Sequence, residues 1–170
     1  MFMDFIRHNK VVAGVLVFLR VYLGYHWIIG GLEKITGGFD ASGFLQGAIA
    51  SAGGEHPAVQ GWWAAFLEGV ALPNAGFFSF LVMWGELLVG IALILGIFTN
   101  FAALMGITMN FAFLFSGTVS TNGLMILLTI FILVAGHNAG RYGLDRWVIP
   151  FLKNHNRVKK DKGKKHVLPV

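Results

Sequence analysis

Three strongly polar side chains interrupt long apolar stretches of the sequence: Arg20, Glu86 and Asn110. A charged side chain at the centre of a bilayer costs at least about 2.5 kcal/mol on insertion scales, so such residues pair with one another or serve a function. Because a guanidinium and a carboxylate form two parallel hydrogen bonds, we predict a salt bridge between Arg20 and Glu86, with Asn110 beside it. The three are candidate catalytic residues that would handle a proton, bind an anion or polarise a quinone carbonyl. The alternative is a buried salt bridge with the structural role of fixing how the helices are aligned.

A second polar group lies further along the first apolar stretch, where His26, Trp27 and Lys34 are candidate substrate-binding residues. Lys34 either extends to the lipid headgroups, as long basic side chains do, or forms part of a positively charged entrance for an anionic substrate. His26 either relays protons or is simply hydrogen-bonded. No metal site is predicted, because the chain has no cysteine and because His26 and His137 lie at depths too different for an axial haem pair.

Four apolar segments, of about the length needed to cross a hydrocarbon core of about 30 Å, would position these residues. They cover residues 11–35, 77–97, 99–116 and 122–138. Hydrophobic residues make up 56% of the chain and charged residues 12%, against about 25% charged in soluble domains, so much apolar surface must face lipid. Short turns join the last three segments, which makes those helices antiparallel neighbours. The predicted fold is an all-α membrane protein, a four-transmembrane-helix antiparallel bundle over residues 1–152.

The distribution of basic residues predicts the orientation of this bundle. Arg7 and Lys10 precede the first helix, and nine of the 13 Lys and Arg residues follow the fourth. Since such residues accumulate on the cytoplasmic side, both termini are expected there. The tail, residues 153–170, is predicted to be disordered and attracted to anionic membrane lipids by about 1 kcal/mol per basic side chain near the surface. Nucleic acid is not an expected partner, because no aromatic residues interleave the basic run.

Counting along the helices suggests that the three polar side chains share one depth. At about 1.5 Å per residue, Arg20 lies roughly 13 Å and Glu86 roughly 16 Å from the cytoplasmic edge. Asn110 reaches nearly the same level from the third helix. This agreement in depth is the basis of the predicted Arg20–Glu86 pairing.

The segment between the first two helices, residues 36–76, would lie on the outer face. It contains acidic residues but no Lys or Arg. Trp62 and Phe66 fall on one helical face between Pro57 and Pro73, which predicts an interfacial helix at headgroup level. A segment of this length is either functional or a cap over the bundle.

Three motifs in order resemble the DoxX family of small bacterial membrane proteins. They are Leu19-Arg20 with Gly24, Trp27 and Gly30-Gly31-Leu32-Glu33-Lys34; then Gly85-Glu86-Leu87-Leu88-Val89-Gly90 with Leu95-Gly96; and Ala135-Gly136 to Tyr142-Gly143-Leu144-Asp145. Together they cover roughly residues 15–147. The long outer segment with its tryptophans is most similar to the DoxD-like branch, which includes the large membrane subunit of thiosulfate:quinone oxidoreductase.

The resemblance implies a multi-pass protein of the bacterial plasma membrane that is linked to quinone. A quinone would be a co-substrate and would enter near Trp27 and Trp84, while a small anionic sulfur compound such as thiosulfate would approach Lys34 and His26. No resident cofactor is evident in the sequence, so either donor and quinone meet directly or a partner protein supplies a redox centre. The expected protein partners are a redox partner subunit or further copies of this chain in a homo-oligomer. The alternative is a non-enzymatic module, either a scaffold of a redox complex or a small-solute carrier.

Overall fold

The structure, a computed structural model, describes residues 2–164, and within this range the secondary structure is entirely helical. A π turn, Leu67–Ala71, and a 3₁₀ turn, Leu72–Asn74, join α4 to α5, and a second 3₁₀ turn, Gly136–Asn138, follows α7. The α-helices are α1 Phe2–His8, α2 Lys10–Thr36, α3 Ala41–Ala50, α4 Gly61–Phe66, α5 Ala75–Leu95, α6 Thr99–Phe115, α7 Asn122–Ala135 and α8 Asp145–Lys164.

The centre of the fold is the antiparallel pair of α2 and α5. A methyl group on Gly24 would lie 2.8 Å from the carbonyl oxygen of Gly90, and one on Gly31 would lie 2.7 Å from the amide nitrogen of Leu87. Only glycine permits such close approach, which is how helices associate by dispersion contacts in a membrane. Helices α6 and α7 form a second pair against the first. All four helices match the predicted segments to within three residues at each end.

The bundle has an apolar core that includes Leu23, Leu93 and Ile132, and, unlike a soluble domain, it also exposes many large apolar side chains. By length and composition, α2 and the helical stretch Gly61–Leu95 are able to cross a membrane, whereas the apolar stretches Thr99–Phe115 and Asn122–Asn138 are shorter. A topology of four spans therefore stays a prediction. The buried polar side chains include Arg20, Glu86, Thr99, Asn110 and Thr129, and the exposed apolar ones include Phe18, Phe77, Leu88, Phe101 and Phe131.

The segment between α2 and α5, residues 37–74, is called the connector, and the end of the bundle that it covers is called the connector end. It is more ordered than the predicted outer loop, because it contains α3 and α4 and joins α5 without a break. The predicted interfacial helix ending before Pro73 is thus replaced by one helical stretch, Gly61–Leu95. Pro73 is accommodated in the 3₁₀ turn that follows the π turn, where a missing backbone donor costs little.

The opposite end of the bundle, where α1 meets the segment after α7, is called the terminal end. The side-chain amide of Asn138 donates to the carbonyl oxygens of Ile6 at 2.8 Å and Asn9 at 2.9 Å. Asn9 also caps α2, accepting from the amide of Val11 at 2.7 Å. These bonds fix α1 across the start of α2.

Helix α8 corrects the prediction for the tail. The chain is helical from Asp145 to Lys164, where a disordered segment was predicted from residue 153. Residues 165–170, also part of that prediction, lie outside the described residues. The helix carries exposed Trp147 and Phe151 on an otherwise strongly basic sequence, the composition of a helix that lies on a membrane surface.

Candidate functional site

The ion pair inside the bundle joins Glu86 to Lys34 and not to Arg20. Lys34 Nζ lies 2.8 Å from Glu86 Oε2, and the side chain of Glu86 is only 3% exposed. Nζ also lies 3.4 Å from the carbonyl oxygen of Gly30, one turn earlier on α2. The predicted Arg20–Glu86 salt bridge is therefore wrong, and Lys34 turns inward instead of extending to the lipid headgroups.

The direction of side chains on antiparallel helices explains this partner. Cα–Cβ bonds on a helix tilt toward its N-terminus, so Arg20 on α2 leans to the terminal end and Glu86 on α5 leans to the connector end. The way in which α2 and α5 are aligned separates Arg20 from Glu86 further. Gly24, one turn after Arg20, lies opposite Gly90 and Ile94, which are one and two turns after Glu86. Arg20 thus lies near the last residues of α5, whereas Glu86 lies beside Gly30. The depth estimate failed because the first turns of α2 extend beyond the end of α5.

Arg20 instead belongs to a glycine-lined cluster at the terminal end. Its guanidinium fits between Gly96, where any Cβ atom would collide with Nη1, and Gly143, where a Cβ atom would lie 2.6 Å from Nη1. Asp145 is close enough to act on it electrostatically. Nε and Nη1 have no hydrogen-bond partner among the described residues.

Asp145 connects this cluster to the turn between α5 and α6. Its carboxylate accepts from the backbone amides of Phe98 at 2.7 Å and Thr99 at 3.0 Å, so a side chain from a distant part of the chain caps the N-terminus of α6. Its own amide donates to the carbonyl oxygen of Gly96 at 2.8 Å. Asp145, the last residue of the third DoxX-like motif, thus forms hydrogen bonds at the end of α5 and at the start of α6, which is a structural role.

A cavity of about 260 Å³ lies at the connector end, and we call it the polar cavity. Helix α2 lines one side, α5 and α6 line the others, and the start of the connector and the α6–α7 turn close it. Its size is slightly below that of pockets for drug-sized ligands. The residues that line it are His26, Trp27, Gly30, Lys34, Phe39, Phe44, Glu86, Asn110, Phe113, Thr118, Ser120, Thr121, Asn122 and Met125.

Two residues that line the polar cavity have buried polar atoms without partners among the described residues. Asn110 is 0% exposed, and neither its Oδ1 nor its Nδ2 atom has a hydrogen-bond partner among the described residues. The same is true of Nε1 of Trp27. Buried polar groups are nearly always hydrogen-bonded, so these unpartnered atoms make this part of the bundle, between α2 and α6, a candidate ligand site.

Aromatic rings form the apolar walls of the polar cavity. Phe44 of α3 meets Phe113 of α6 edge to face, with ring centroids 6.2 Å apart, and Lys34 Nζ lies 6.0 Å from the centre of the Phe39 ring. His26 packs edge to face on Tyr22, with centroids 4.6 Å apart. Among the described residues, neither ring nitrogen of His26 has a hydrogen-bond partner, although a simple hydrogen-bonded histidine was one of the predicted alternatives.

The connector is held over the cavity by contacts at both of its ends. Ala41 donates its backbone amide to Ser79 Oγ of α5 at 2.9 Å, which anchors the start of α3. Trp63 Nε1 donates to Ser116 Oγ at the end of α6, also at 2.9 Å. The connector is therefore anchored to α5 and α6, and its role as a cap on the outer face stays a prediction.

The structure brings five of the seven predicted site residues together at the polar cavity: His26, Trp27, Lys34, Glu86 and Asn110. Arg20 lies in the terminal cluster. Trp84 is 43% exposed on the outside of α5, near Phe80, and does not line the cavity. The roles predicted for these residues stay predictions.

Sequence reasoning missed the walls contributed by the connector and the α6–α7 turn. Phe113 follows Asn110 by three positions and so shares its helix face, a signal that was available. Phe39, Phe44 and Thr118 carry no comparable pattern, because their approach depends on how the connector folds back. Among residues 2–164, no three His, Asp or Glu side chains group as a metal site requires.

An apolar exterior, glycine-mediated helix contacts and a buried ion pair beside a polar cavity are the features of a helical membrane protein with an internal polar cavity. A family model for DoxX matches residues 15–119, which is more than half of the chain. The chain belongs to the DoxX family, a membrane family. No curated protein and no solved structure matches it.

Proposed function

We propose that this DoxX-family protein binds a quinone head group in the polar cavity and serves as the quinone-reactive unit of a membrane oxidoreductase. The observation that supports this most is the pair of unpartnered buried groups, the Asn110 amide and the Trp27 indole N–H. Both can donate to a carbonyl oxygen, which is the polar atom that a quinone offers. The rings of Phe44 and Phe113 supply apolar surface for the rest of the head group.

The size of the cavity favours a head group over a whole lipid-soluble molecule. A volume of about 260 Å³ suits a single substituted ring. The isoprenoid tail of the quinone would remain in the bilayer beside the bundle. Entry would take place from the lipid at the Trp27 side, and Trp84 would contact the tail at most.

The charges at the site favour a neutral ligand over a free anion. Lys34 is already neutralised by Glu86 at 2.8 Å, so the cavity offers no uncompensated positive charge from Lys or Arg. A dianion buried there would have no counter-charge of its own, which is costly in a low-dielectric site. The anionic sulfur substrate would therefore act from outside the cavity, near its rim.

Glu86 would transfer a proton to the bound quinone. Reduction of a quinone to a quinol takes up two electrons and two protons. A carboxylate that alternates between an ion pair with Lys34 and a protonated form is suited to deliver a proton to a carbonyl oxygen. His26, which lines the same cavity, would supply the second proton.

The electron donor follows from the resemblance to the DoxD-like branch. Two thiosulfate ions that join through a sulfur–sulfur bond form tetrathionate and release two electrons, which balances quinol formation. The chain has no cysteine, so the new bond would form between substrate sulfurs. A redox partner subunit would carry the electrons if donor and quinone do not meet directly.

Binding of a short-chain ubiquinone analogue to the purified protein tests the first part of this proposal. Asn110→Leu removes both unpartnered amide atoms and should weaken binding about tenfold, the effect of one or two lost hydrogen bonds. Thr129→Val is the matched control, because Thr129 is equally buried but bonds to Met125 O and does not line the cavity. Equal affinity of both variants and the parent protein would contradict the proposed site.

Turnover tests the second part. Quinol formation from the analogue, with thiosulfate as donor, should be measurable with the parent protein and should fall strongly in Glu86→Gln. Binding without turnover, also after addition of membrane extract to supply a partner, would favour the non-enzymatic alternative.

A further inference from the structure

The polar cavity reaches the surface of the protein at the connector end. The α6–α7 turn forms its rim there, where Ser120 and Thr121 are exposed and Thr118 is half-buried. The hydroxyl groups of these three residues have no hydrogen-bond partner among the described residues. Because hydroxyl groups both donate to water and accept from it, this rim is a polar entrance.

The ion pair connects the rim to the interior of the bundle. The side chain of Lys34 is 28% exposed, whereas that of Glu86, its partner at 2.8 Å, is only 3% exposed. Lys34 thus extends from the surface of the cavity mouth to the buried carboxylate. Among the described residues that line the cavity, these two and His26 are the titratable ones. A proton that enters at the connector end can therefore reach Glu86 along polar groups.

Apolar packing closes the cavity toward the terminal end. Trp27 forms the floor, and its Nε1 atom lies 3.2 Å from the position that a methyl group on Gly106 would take. Beyond the floor, each of the four long helices contributes one side chain that is at most 1% exposed: Leu23, Leu93, Ala103 and Ile132. Close-packed apolar side chains leave few voids as large as a water molecule, and apolar voids stay dry. A chain of water molecules is therefore not expected to cross this layer.

We propose that the polar cavity is a one-sided aqueous vestibule, which supplies protons to Glu86 from the solution at the connector end and not from the terminal end. The use of these protons in quinol formation rests on the function proposed above, whereas the one-sided access does not. The consequence is a direction. A quinone that takes up two electrons from its donor would draw its two protons from one side of the membrane only.

Cysteine labelling tests this access route, because the chain contains no cysteine and each introduced thiol is therefore unique. Single variants of the full chain are reconstituted in liposomes and treated from outside with a small, cationic methanethiosulfonate that does not cross the bilayer. Glu55→Cys in the connector and Tyr142→Cys at the terminal end change exposed residues, so they report which face each molecule turns outward. A preparation in which these two reporters are labelled to different extents defines the two sides.

The vestibule predicts labelling deep in the bundle from one side. Asn110→Cys and Thr121→Cys should reach the same final extent of labelling as Glu55→Cys. Thr129→Cys is the control and should stay unlabelled, because Thr129 is 1% exposed and does not line the cavity. Labelling of Asn110→Cys to the extent of Tyr142→Cys, or from both sides, would overturn one-sided access. Labelling at the rim without any at Asn110→Cys would show that water does not enter, and would overturn the vestibule.

Obstruction of the rim provides a second measurement. Thr121→Trp, added to the deep cysteine variant, should remove most of its labelling at a short fixed time, because the indole ring occupies the entrance. Leu124→Trp is the matched control, since Leu124 is 49% exposed on α7 and does not line the cavity. Equal labelling rates with both tryptophans would overturn entry at the α6–α7 turn. Met125→Cys, which changes another lining residue, provides the deep thiol if Asn110→Cys does not fold.

Labelling and quinone binding together separate the vestibule from the proposed function. If Asn110→Cys is labelled from the connector end but the parent protein binds no ubiquinone analogue, the vestibule stands and the quinone function fails. If the analogue binds but the label arrives from the terminal end, the quinone site stands and the one-sided vestibule is wrong.

Discussion

Lys34 Nζ lies 2.8 Å from Glu86 Oε2, and this contact joins two residues that are 52 positions apart in the chain. It forms part of the wall of the polar cavity and links α2 to α5 near the connector end. The contact of Gly24 with Gly90 links the same two helices nearer the terminal end. The ion pair therefore serves the packing of the bundle and also sets the charge of the cavity.

Breaking the ion pair from one side should destabilise the protein. Lys34→Met leaves Glu86 buried without a counter-charge, and we expect a loss of about 3 kcal/mol, the low end for buried pairs because Lys34 is 28% exposed. The double variant Lys34→Met with Glu86→Leu should recover most of this loss, since no buried charge remains. The midpoint of thermal unfolding in one detergent measures both. A single variant as stable as the parent protein would mean that the pair does not hold the helices.

A methyl group next to Arg20 should also destabilise the bundle. In Gly143→Ala the new atom would lie 2.6 Å from Arg20 Nη1 and 2.7 Å from Gly96 Cα, so we expect a loss of about 1–3 kcal/mol. Gly14→Ala is the control, because nothing lies within 4 Å of its added methyl group. Being inside α2, it should be neutral or stabilise by up to about 1 kcal/mol. Similar unfolding midpoints for the two variants would argue against the Arg20 cluster.

Arg20 should matter for folding but not for ligand affinity. It lies in the terminal cluster and does not line the polar cavity, so Arg20→Gln should lower the yield of folded protein. The fraction that folds should bind the ubiquinone analogue with affinity unchanged within about twofold. Calorimetric titration of the monomeric fraction from size exclusion provides this number. A loss as large as that expected for Asn110→Leu would return Arg20 to the ligand site.

The stability of the fold should depend on pH through the carboxylate of Asp40, which caps the start of α3. The backbone amide and then the hydroxyl of Ser42 donate to its carboxylate, which lowers the pKa of Asp40 below its ordinary value of 3.8. A lowered native pKa stabilises the fold above pH 3.8, and this contribution is lost as the pH falls through the native pKa. Asp40→Asn keeps an acceptor oxygen but does not titrate. The difference in unfolding midpoint between parent and variant should therefore shrink on acidification; a difference independent of pH would exclude this role.

Much of the helical framework could be predicted, because hydrophobic length is a direct signal. The bounds of α2 and α6 follow from where apolar residues begin and end. The helical connector could not be predicted to the same degree, since Pro73 normally ends a helix and here lies in a 3₁₀ turn. Helix α8 was missed because a basic run without apolar periodicity resembles a disordered tail.

Part of the candidate site's membership could be predicted, but the pairing of its charges could not. Polar residues in apolar segments pointed to Glu86, Asn110 and Lys34, which the structure places at one cavity. The partner of Glu86 depends on how far α2 is shifted along α5. Contacts of glycines between the two helices set this shift, and the sequence of one helix alone does not show them. For this reason Arg20 was paired with Glu86, whereas the structure places it against Gly96 and Gly143.

The central claim is that a ligand ring enters the polar cavity beside Trp27. Tryptophan emission on titration with the ubiquinone analogue tests it directly, because quinones quench indoles at short range. Trp27→Phe should remove the saturable component of quenching, while Trp84→Phe, which changes an exposed tryptophan on the outside of α5, should leave it intact. If both variants keep that component, or if Trp84→Phe alone loses it, the quinone binds outside the bundle and the proposed site is wrong.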